Sequence, residues 1–377
     1  MNSKPSICFV APNIYPVLAR DRNVKMVGGA EVQQSILARA FAATGHRVTV
    51  VCMDVGQPEG VEVDRVTVHN TYRPKSGLPI LRFFHPHISL TWRALARADA
   101  DIYYQRGCGM LTGIVAAFCR LHRKQFVFAG AHDQDFDSEL PKLKKKHDKF
   151  LFRWGIRQAD AVVVQNSQQL QMASASGFTP FFVGSCYQQP PNASLSRQGY
   201  VLWVARFCSW KQPEIFIELA RRLPQFHFRM VGGSGSEAGE AAFFETMKRQ
   251  AANVANLEFV GFVPHAEVER EFDGARVFVN TSEAEGFPNT FLQTWARGIP
   301  TVSFVQPAFD KDGKSIGRTV QNVDALIQEV NELMGDDRVW HQEGERCRQY
   351  FEAHHSVQQA FDAYAALFGQ LTEGRKQ

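Results

Sequence analysis

The residues whose types and spacing could do chemistry begin with a carboxylate placed just before a predicted helix. The segment 277–303 has the pattern of strand, turn, helix and strand, and Glu285 lies just ahead of the helix. The unpaired amides and partial positive charge of a helix N-terminus suit a phosphate, whereas a carboxylate beside them is better placed to accept hydrogen bonds from sugar hydroxyls. Asn289 and Gln293, four positions apart, are predicted to share the polar face of that helix.

Two cations, Arg206 and Lys211, lie five positions apart on a second predicted loop. The loop follows the apolar segment 200–205, a predicted strand, and precedes a helix that begins at Glu214. Cations on a strand-to-helix loop can bind a diphosphate and neutralise the charge that develops on it. A solvent-exposed pair without a ligand is the alternative interpretation.

A histidine and two glycine pairs follow other predicted strands. His132 comes after the strand 125–129, and the carboxyl ends of parallel strands line the ligand crevice of open α/β sheets. His132 is therefore placed where chemistry would occur, with a structural role as the alternative, and Asp133 and Asp135 could orient it or bind acceptor hydroxyls. The two glycine pairs are Gly28 with Gly29 and Gly232 with Gly233. Glycines at these positions can allow a ligand to approach the backbone closely, and the alternative is that they only make the loops flexible.

The elements that position these residues alternate between buried strands and helices along the whole chain. Apolar runs such as 6–12 and 158–165 have the composition of central parallel strands, and helical periods separate them. This alternation predicts α/β architecture with parallel sheets. The first βαβ unit lacks Gly-x-Gly-x-x-Gly, so a nicotinamide cofactor is not indicated.

The length of 377 residues is too great for one core, so we expect two domains joined by a linker at 185–199. The expected boundaries give a first domain at 1–190, a second at 191–350, and a C-terminal helix at 351–377.

Composition narrows the function classes. Apolar residues make up 45% of the chain and charged residues 21%, as in soluble globular proteins. The net charge of +4 does not indicate nucleic-acid binding, although it suits anionic substrates or a membrane surface. The seven cysteines lack CxxC spacing, and no run approaches ~18–20 apolar residues. We therefore expect reduced thiols, no zinc site and a cytoplasmic location.

A basic segment at 140–154 combines lysines and an arginine with five apolar residues that fall near one helical stripe. These residues are Leu140, Leu143, Phe150, Leu151 and Trp154. A basic amphipathic helix of this kind can lie on an anionic bilayer. A solvated helix whose apolar stripe faces the core is the favoured alternative.

The segment around Glu285 resembles the signature of the family 4 glycosyltransferases. The matching residues are Ser282, Glu285, Gly286, Phe287, Gly298, Pro300, Thr301 and Val302. The family typically carries a second acid eight residues after the first, which holds the ribose hydroxyls of the nucleotide, but this chain has Gln293 there. An amide can still donate to and accept from a diol, so we expect ribose binding to persist and Glu to be tolerated at this position.

Other elements resemble the family in the same order. Arg206 and Lys211 match the cations that hold the donor diphosphate, with Ala205 and Gln212 in place of the usual glycines, and His132 matches a histidine that reaches the donor sugar. The resemblance implies catalytic roles for Glu285, Arg206, Lys211 and His132. The donor-binding residues that it implies are Gly28, Gly29, Gly232, Gly233, Val263, Gly286, Phe287, Asn289, Thr290 and Gln293.

The fold implied by the resemblance is the GT-B arrangement of two facing Rossmann-like domains, with a C-terminal helix crossing back to the first. The implied function is retaining transfer of a sugar from a nucleotide-sugar donor to a glycan, lipid-linked or small-molecule acceptor in bacterial surface polysaccharide or glycoconjugate synthesis. The nucleotide-sugar is the only co-substrate expected, with no metal and no other cofactor. A nucleotide-sugar epimerase of the same fold and a non-catalytic donor-binding scaffold are the alternatives.

Overall fold

The computed structural model describes residues 4–21, 28–74, 76–77, 83–190, 199–235, 239–264, 267–285, 287–306, 308–310 and 312–374. Two compact α/β units make up the chain. The chain passes from the first unit to the second after Cys186 and returns to the first after Ser356. The boundaries expected from the sequence fall after residues 190 and 350.

The first unit is built on an eight-stranded sheet with strand order β3-β4-β2-β1-β5-β6-β7-β8. Every neighbouring pair is parallel except β3 and β4. The central strands are apolar and fully buried because helices cover both faces of the sheet. The strands are β1 (Ile7–Val10), β2 (Val48–Cys52), β3 (Glu62–Val63), β4 (Val66–Asn70), β5 (Ile102–Arg106), β6 (Gln125–Ala129), β7 (Ala161–Val164) and β8 (Phe181–Phe182).

Seven α-helices lie in the described part of this unit, and the last of them comes from the C-terminus of the chain. They are α1 (Tyr15–Leu18), α2 (Gly29–Ala43), α3 (Ser89–Ala98), α4 (Met110–His122), α5 (Lys146–Ile156), α6 (Ser167–Ala175) and α13 (Val357–Glu373). Helix α13 packs into the core: the Tyr364 hydroxyl lies 3.1 Å from that of Tyr104, and the ring centroids of Phe368 and Phe41 are 5.3 Å apart. The C-terminal helix therefore packs on the first unit, as the resemblance implies.

The second unit contains a six-stranded parallel sheet with strand order β11-β10-β9-β12-β13-β14. Its strands are β9 (Tyr200–Val204), β10 (Phe228–Val231), β11 (Leu257–Gly261), β12 (Ala275–Asn280), β13 (Thr301–Ser303) and β14 (Arg318–Thr319). This is the order of a doubly wound sheet, in which successive strands are added on one side of β9 up to β11 and on its other side from β12 onward. Ligands bind beyond the carboxyl ends of the strands at such a switch point.

The helices of the second unit cover both faces of this sheet. They are α7 (Pro213–Arg222), α8 (Glu240–Ala251), α9 (Glu269–Asp273), α10 (Asn289–Trp295), α11 (Val323–Gly335) and α12 (Asp337–His354). The C-terminal helix predicted at 351–377 is interrupted at His355 and Ser356. Residues 351–354 complete α12 in the second unit, and α13 in the first unit begins at Val357. Within the described ranges, no helix is long and apolar enough to cross a membrane.

Candidate active site

The strongest candidates from the sequence lie on the two loops that flank the switch point of the second sheet. The loop after β9 carries Arg206 and a short 3₁₀ helix, Ser209–Lys211. The loop after β12 carries Glu285. Two hydrogen bonds to the backbone of the first loop join the loops. The Thr281 hydroxyl donates to the Lys211 carbonyl at 2.6 Å, and the Glu283 backbone N–H donates to the Trp210 carbonyl at 3.0 Å.

Lys211 and Glu285 form an ion pair across these loops. Lys211 Nζ donates to Glu285 Oε1, and the two side chains are only 13% and 12% exposed. The ammonium also lies 4.1 Å from the centroid of the Trp210 ring, where the negative face of the indole attracts a cation. The sequence places both residues near a donor, and the structure shows that they contact each other.

Two buried polar side chains, Ser282 and Asn280, contact the same oxygen of Glu285 as Lys211 does. The Ser282 hydroxyl donates to Glu285 Oε1 at 2.7 Å, and Asn280 Nδ2 lies 3.4 Å from the same oxygen. Asn280 Oδ1 in turn accepts the Ser282 backbone N–H at 2.8 Å. All these contacts reach Oε1, and no described residue donates to Oε2. The second oxygen of the carboxylate is therefore the one available to a ligand.

The other cation of the loop differs from Lys211 in its surroundings. Arg206 is exposed, and no described residue forms an ion pair with its guanidinium. Gln212, which follows Lys211 in place of a family glycine, adopts a left-handed backbone conformation with φ of 47°. The loop therefore keeps the conformation that favours glycine without having the glycine.

Gln293 is almost completely buried, with 5% of its surface exposed. Its Nε2 donates to Glu269 Oε1 on α9 at 2.8 Å. The other oxygen of Glu269 accepts from Arg297 Nη2 at 2.9 Å and from the Tyr187 hydroxyl. This partner of Gln293 could not be predicted from the sequence, because Glu269 lies on a short helix with no motif of its own.

The residues at the start of α10 divide between surface and core. Asn289 and Thr290 are the first two residues of the helix and are partly exposed. Phe287 packs inward, with its ring centroid 4.8 Å from that of His355 and 6.0 Å from that of Trp295. Gly286 lies outside the described residues.

The glycine loop after β10 is required by packing. A Cβ on Gly232 would lie 1.8 Å from the Ala205 carbonyl oxygen, so only glycine allows this loop to approach the end of β9. A Cβ on Gly233 would lie 3.1 Å from the Phe262 ring. Val263, two residues beyond β11, is partly buried against the core of this unit. These contacts explain both glycines without a ligand, and a nucleotide contact by these residues stays a prediction.

His132 begins the 3₁₀ helix Asp133–Phe136 in the first unit. Its Nδ1 accepts the Gln134 backbone N–H at 3.2 Å, so the neutral ring carries its proton on Nε2. Asp135 Oδ2 accepts the backbone N–H of His132 at 3.0 Å. Asp133 Oδ1 accepts from the side-chain amides of Asn166 and Gln169. Asp135 thus holds the backbone of His132, whereas Asp133 accepts from α6 and the residue before it; the roles of both carboxylates in catalysis or acceptor binding stay predictions.

Gly28 and Gly29 lie at the start of α2 in the same unit. Gly28 is the N-cap residue, and as a glycine it has no side chain with which to cap the helix. The Glu31 carboxylate folds back over this end, where a Cβ on Gly28 would lie 2.1 Å from its Oε2. Arg106, at the carboxyl end of β5, is a further cation and was not among the residues predicted from the sequence; it donates to Gln165 Oε1 and Ser185 Oγ. A cation that ends a buried strand is the signal by which Arg106 could have been found.

The basic segment differs from the predicted helix over 140–154. Leu140 has φ of 47° and the helix α5 begins only at Lys146. A Cβ on Gly155 would lie 2.7 Å from the Gly113 backbone N, so close contact with α4 fixes the buried face of α5. Phe150, assigned to the apolar stripe, is instead 68% exposed.

Two further expectations concern cofactors and thiols. Within the described ranges, no group of three His, Cys, Asp or Glu side chains could hold a metal ion. Metal independence of the reaction stays a prediction. All seven cysteines are free thiols, and burial raises the pKa of Cys108, which is partly exposed, to about 12.

Two α/β units, each built on a largely parallel sheet, are the architecture of the GT-B class of glycosyltransferases. A family model described as glycosyl transferases group 1 matches residues 198–336, and one described as glycosyltransferase family 4 matches 27–180. Together these matches cover more than half of the chain. The chain belongs to the family 4 glycosyltransferases.

Individual relatives are more distant. The O-antigen biosynthesis glycosyltransferase WbnH of Escherichia coli is 29% identical over 119 residues, which are 31% of this chain and 32% of that protein. The match thus spans about a third of the length of that relative. Sucrose-phosphate synthase from Thermosynechococcus elongatus is 16% identical with a TM-score of 0.77, over 98% of this chain and 100% of that one. HepE from Anabaena, solved with UDP-glucose, is 14% identical with a TM-score of 0.70, over 97% and 100%. These two likenesses show the fold alone.

Proposed function

We propose that the protein transfers a sugar from a nucleotide-sugar donor to an acceptor hydroxyl, with retention of configuration at the anomeric carbon. The observation that carries this proposal is the Lys211–Glu285 pair at the switch point of the second sheet. It joins a cation suited to a diphosphate and a carboxylate suited to sugar hydroxyls. The complex of HepE with UDP-glucose supports a nucleotide-sugar as the donor class.

In the proposed reaction, the bond between the anomeric carbon and the phosphate oxygen breaks while the acceptor oxygen bonds to the same face of that carbon. The acceptor proton passes to the departing phosphate oxygen, so no protein base is required. Arg206 and Lys211 neutralise the charge that the diphosphate gains. Lys211 can do so without leaving Glu285, because an ammonium group has three N–H donors.

Glu285 has a different role in this proposal. Its Oε1 is held by Lys211 and Ser282, which leaves Oε2 for the hydroxyls of the transferred sugar. A hydrogen bond to a carboxylate strengthens as positive charge grows on the sugar ring, so the contact favours the transition state over the bound donor. Glu285 therefore acts on the rate more than on donor affinity.

We further propose a glycan or lipid-linked acceptor of bacterial surface polysaccharide synthesis, a class supported by the name of WbnH. The exposed lysines at 144–146 and the exposed Phe150 would contact an anionic bilayer that carries such an acceptor. A location at the cytoplasmic face of the membrane follows from this proposal.

The test is incubation of the purified protein with a panel of UDP-, GDP- and ADP-sugars, with and without glycan and lipid-linked acceptors. Acceptor-dependent release of the nucleotide, with the anomeric configuration of donor and product compared by NMR, would support retaining transfer. An isomerised sugar formed from donor alone would identify an epimerase instead. Donor binding without turnover against any acceptor would identify a scaffold.

A further inference from the structure

The contact between Gln293 and Glu269 has a chemical direction. A carboxylate can only accept hydrogen bonds, so the Gln293 carboxamide must turn its Nε2 toward Glu269, as the 2.8 Å contact shows. The amide oxygen, Oε1, is then directed away from Glu269. Within the part of the chain that the structure describes, no residue donates to Oε1. The orientation of the amide is thus set by a neighbouring helix.

The same contact decides which residue can stand at 293. A glutamate there would place a second carboxylate at hydrogen-bond distance from that of Glu269, at a position with 5% exposure. Like charges this close disfavour ionisation of both groups, so one carboxyl would have to take up a proton or the contact would break.

The nearby cation, Arg297, is already paired with two carboxylates. Arg297 is 4% exposed at its side chain, and its Nε binds Asp273 at 2.8 Å. Its Nη2 binds Glu269 at 2.9 Å, and its Nη1 donates to the Gln293 backbone carbonyl at 3.0 Å. A single cation thus already faces two carboxylates, Glu269 and Asp273, so a carboxylate at 293 would add a charge that Arg297 cannot balance.

We propose that Glu269 is a positioning residue of the nucleotide subsite. It holds the Gln293 carboxamide so that Oε1 is the atom offered to a ribose hydroxyl of the donor, and it requires an uncharged residue at 293. In this chain the negative charge stands on α9 and the amide on α10. The inference rests on the proposed function, because it assigns the binding role to a nucleotide-sugar. It also reverses the expectation that glutamate would be tolerated at 293.

The test exchanges the two side chains. Gln293→Glu should lower the melting temperature by roughly 5–10 °C, the scale for an uncompensated buried charge in a domain of this size. Glu269→Gln should weaken binding of the nucleoside diphosphate, because the amide at 293 loses its fixed orientation. The double variant Glu269→Gln/Gln293→Glu restores one carboxylate and one amide in contact, so it should recover most of the loss caused by Gln293→Glu. Gln225→Glu, at an exposed position of the same unit, is the matched control for the change in charge.

Binding is read by calorimetry with UDP, GDP and ADP, and the nucleotide that binds is then compared with its 2′-deoxy and 3′-deoxy forms. The parent should lose about tenfold in affinity for one deoxy form, the scale of one hydrogen bond to a buried acceptor. Gln293→Ala should bind both forms nearly equally. This readout does not depend on transfer or on finding the acceptor.

The outcomes separate the two proposals. If no nucleoside diphosphate binds, the proposed function fails. If one binds but Gln293→Glu matches the control, or the double variant is no better than Gln293→Glu, the role of Glu269 is wrong. Equal binding of the deoxy forms by the parent would remove Gln293 from the ribose contact. Should Gln293→Glu fail to fold while the double variant folds, the charge requirement at 293 is supported.

Discussion

Lys211 and Glu285, which are 74 positions apart in the chain, share one ion pair at the switch point of the second sheet. The pair links the two groups that the sequence assigns to neighbouring parts of the donor, the diphosphate and the sugar. Each group therefore depends on the other for its position. Substitutions at the two ends should have different consequences.

The first prediction concerns the carboxylate. Glu285→Gln keeps the shape of the side chain and removes its charge, so it should lower the turnover number by about 30- to 1,000-fold, or ~2–4 kcal/mol, with little change in donor affinity. Steady-state kinetics with the identified donor would measure this split. Ser282→Ala, which removes one bond to Oε1 and leaves the charge, is the matched control and should have a smaller effect. Turnover and donor affinity within a few-fold of the parent for Glu285→Gln would make Glu285 structural.

The second prediction separates the two cations. Arg206→Ala and Lys211→Ala should both lower the turnover number, since each removes a cation that is proposed to neutralise the diphosphate. Stability should distinguish them. Arg206 is exposed, and its loss should change the free energy of unfolding by less than about 0.5 kcal/mol. Lys211→Ala leaves Glu285 largely buried without its cation and should cost about 1–3 kcal/mol. Denaturant unfolding would measure the difference, and equal stability losses would contradict the ion-pair assignment.

The sequence predicted the local parts of the candidate site well. The apolar runs of β9 and β12 identify the strands, and Arg206, Lys211 and Glu285 follow them at motif spacing. These features depend on a few consecutive residues, which is why period and spacing revealed them. The loops after β9 and β12 lie side by side because these two strands are neighbours in the sheet. From the sequence, only the family resemblance implied that the two loops act on one ligand.

Contacts between distant elements could not be predicted in the same way. Glu269 lies 24 positions before Gln293, and only the packing of α9 against α10 brings them together. The prediction that Phe150 belongs to the core-facing stripe of the basic segment was wrong for a related reason. The close approach of Gly155 to Gly113 turns α5 so that Phe152 is buried and Phe150 exposed.

The third prediction separates structure from chemistry at His132. His132→Asn keeps an acceptor that can cap the 3₁₀ helix, as His132 Nδ1 does now, whereas His132→Ala removes it and should cost about 1 kcal/mol of stability. If His132 also contacts the donor sugar, both variants should lose turnover to a similar extent. Kinetics beside thermal unfolding would test this, and full activity in the Asn variant would leave His132 with the capping role alone.

The last prediction concerns the basic segment of the first unit. Lys144, Lys145 and Lys146 are exposed just before Phe150, whose ring also faces solvent. If this surface contacts a membrane, the protein should sediment with phosphatidylglycerol vesicles and not with phosphatidylcholine vesicles. Each lysine near an anionic surface contributes about 1 kcal/mol, so charge reversal of all three should abolish sedimentation.

High salt should release the protein for the same reason, since the screening length falls from ~8 Å at physiological ionic strength to ~3 Å at 1 M. Phe150→Ser should weaken binding at every salt concentration, because its apolar contact is not screened. Reversal of Lys248 and Arg249, exposed on α8 of the second unit, controls for a general change in net charge. If this control weakens binding as much as the reversal at 144–146, attraction is not specific to the basic segment. In that case the lysines form only the solvated face of the turn and helix that carry them.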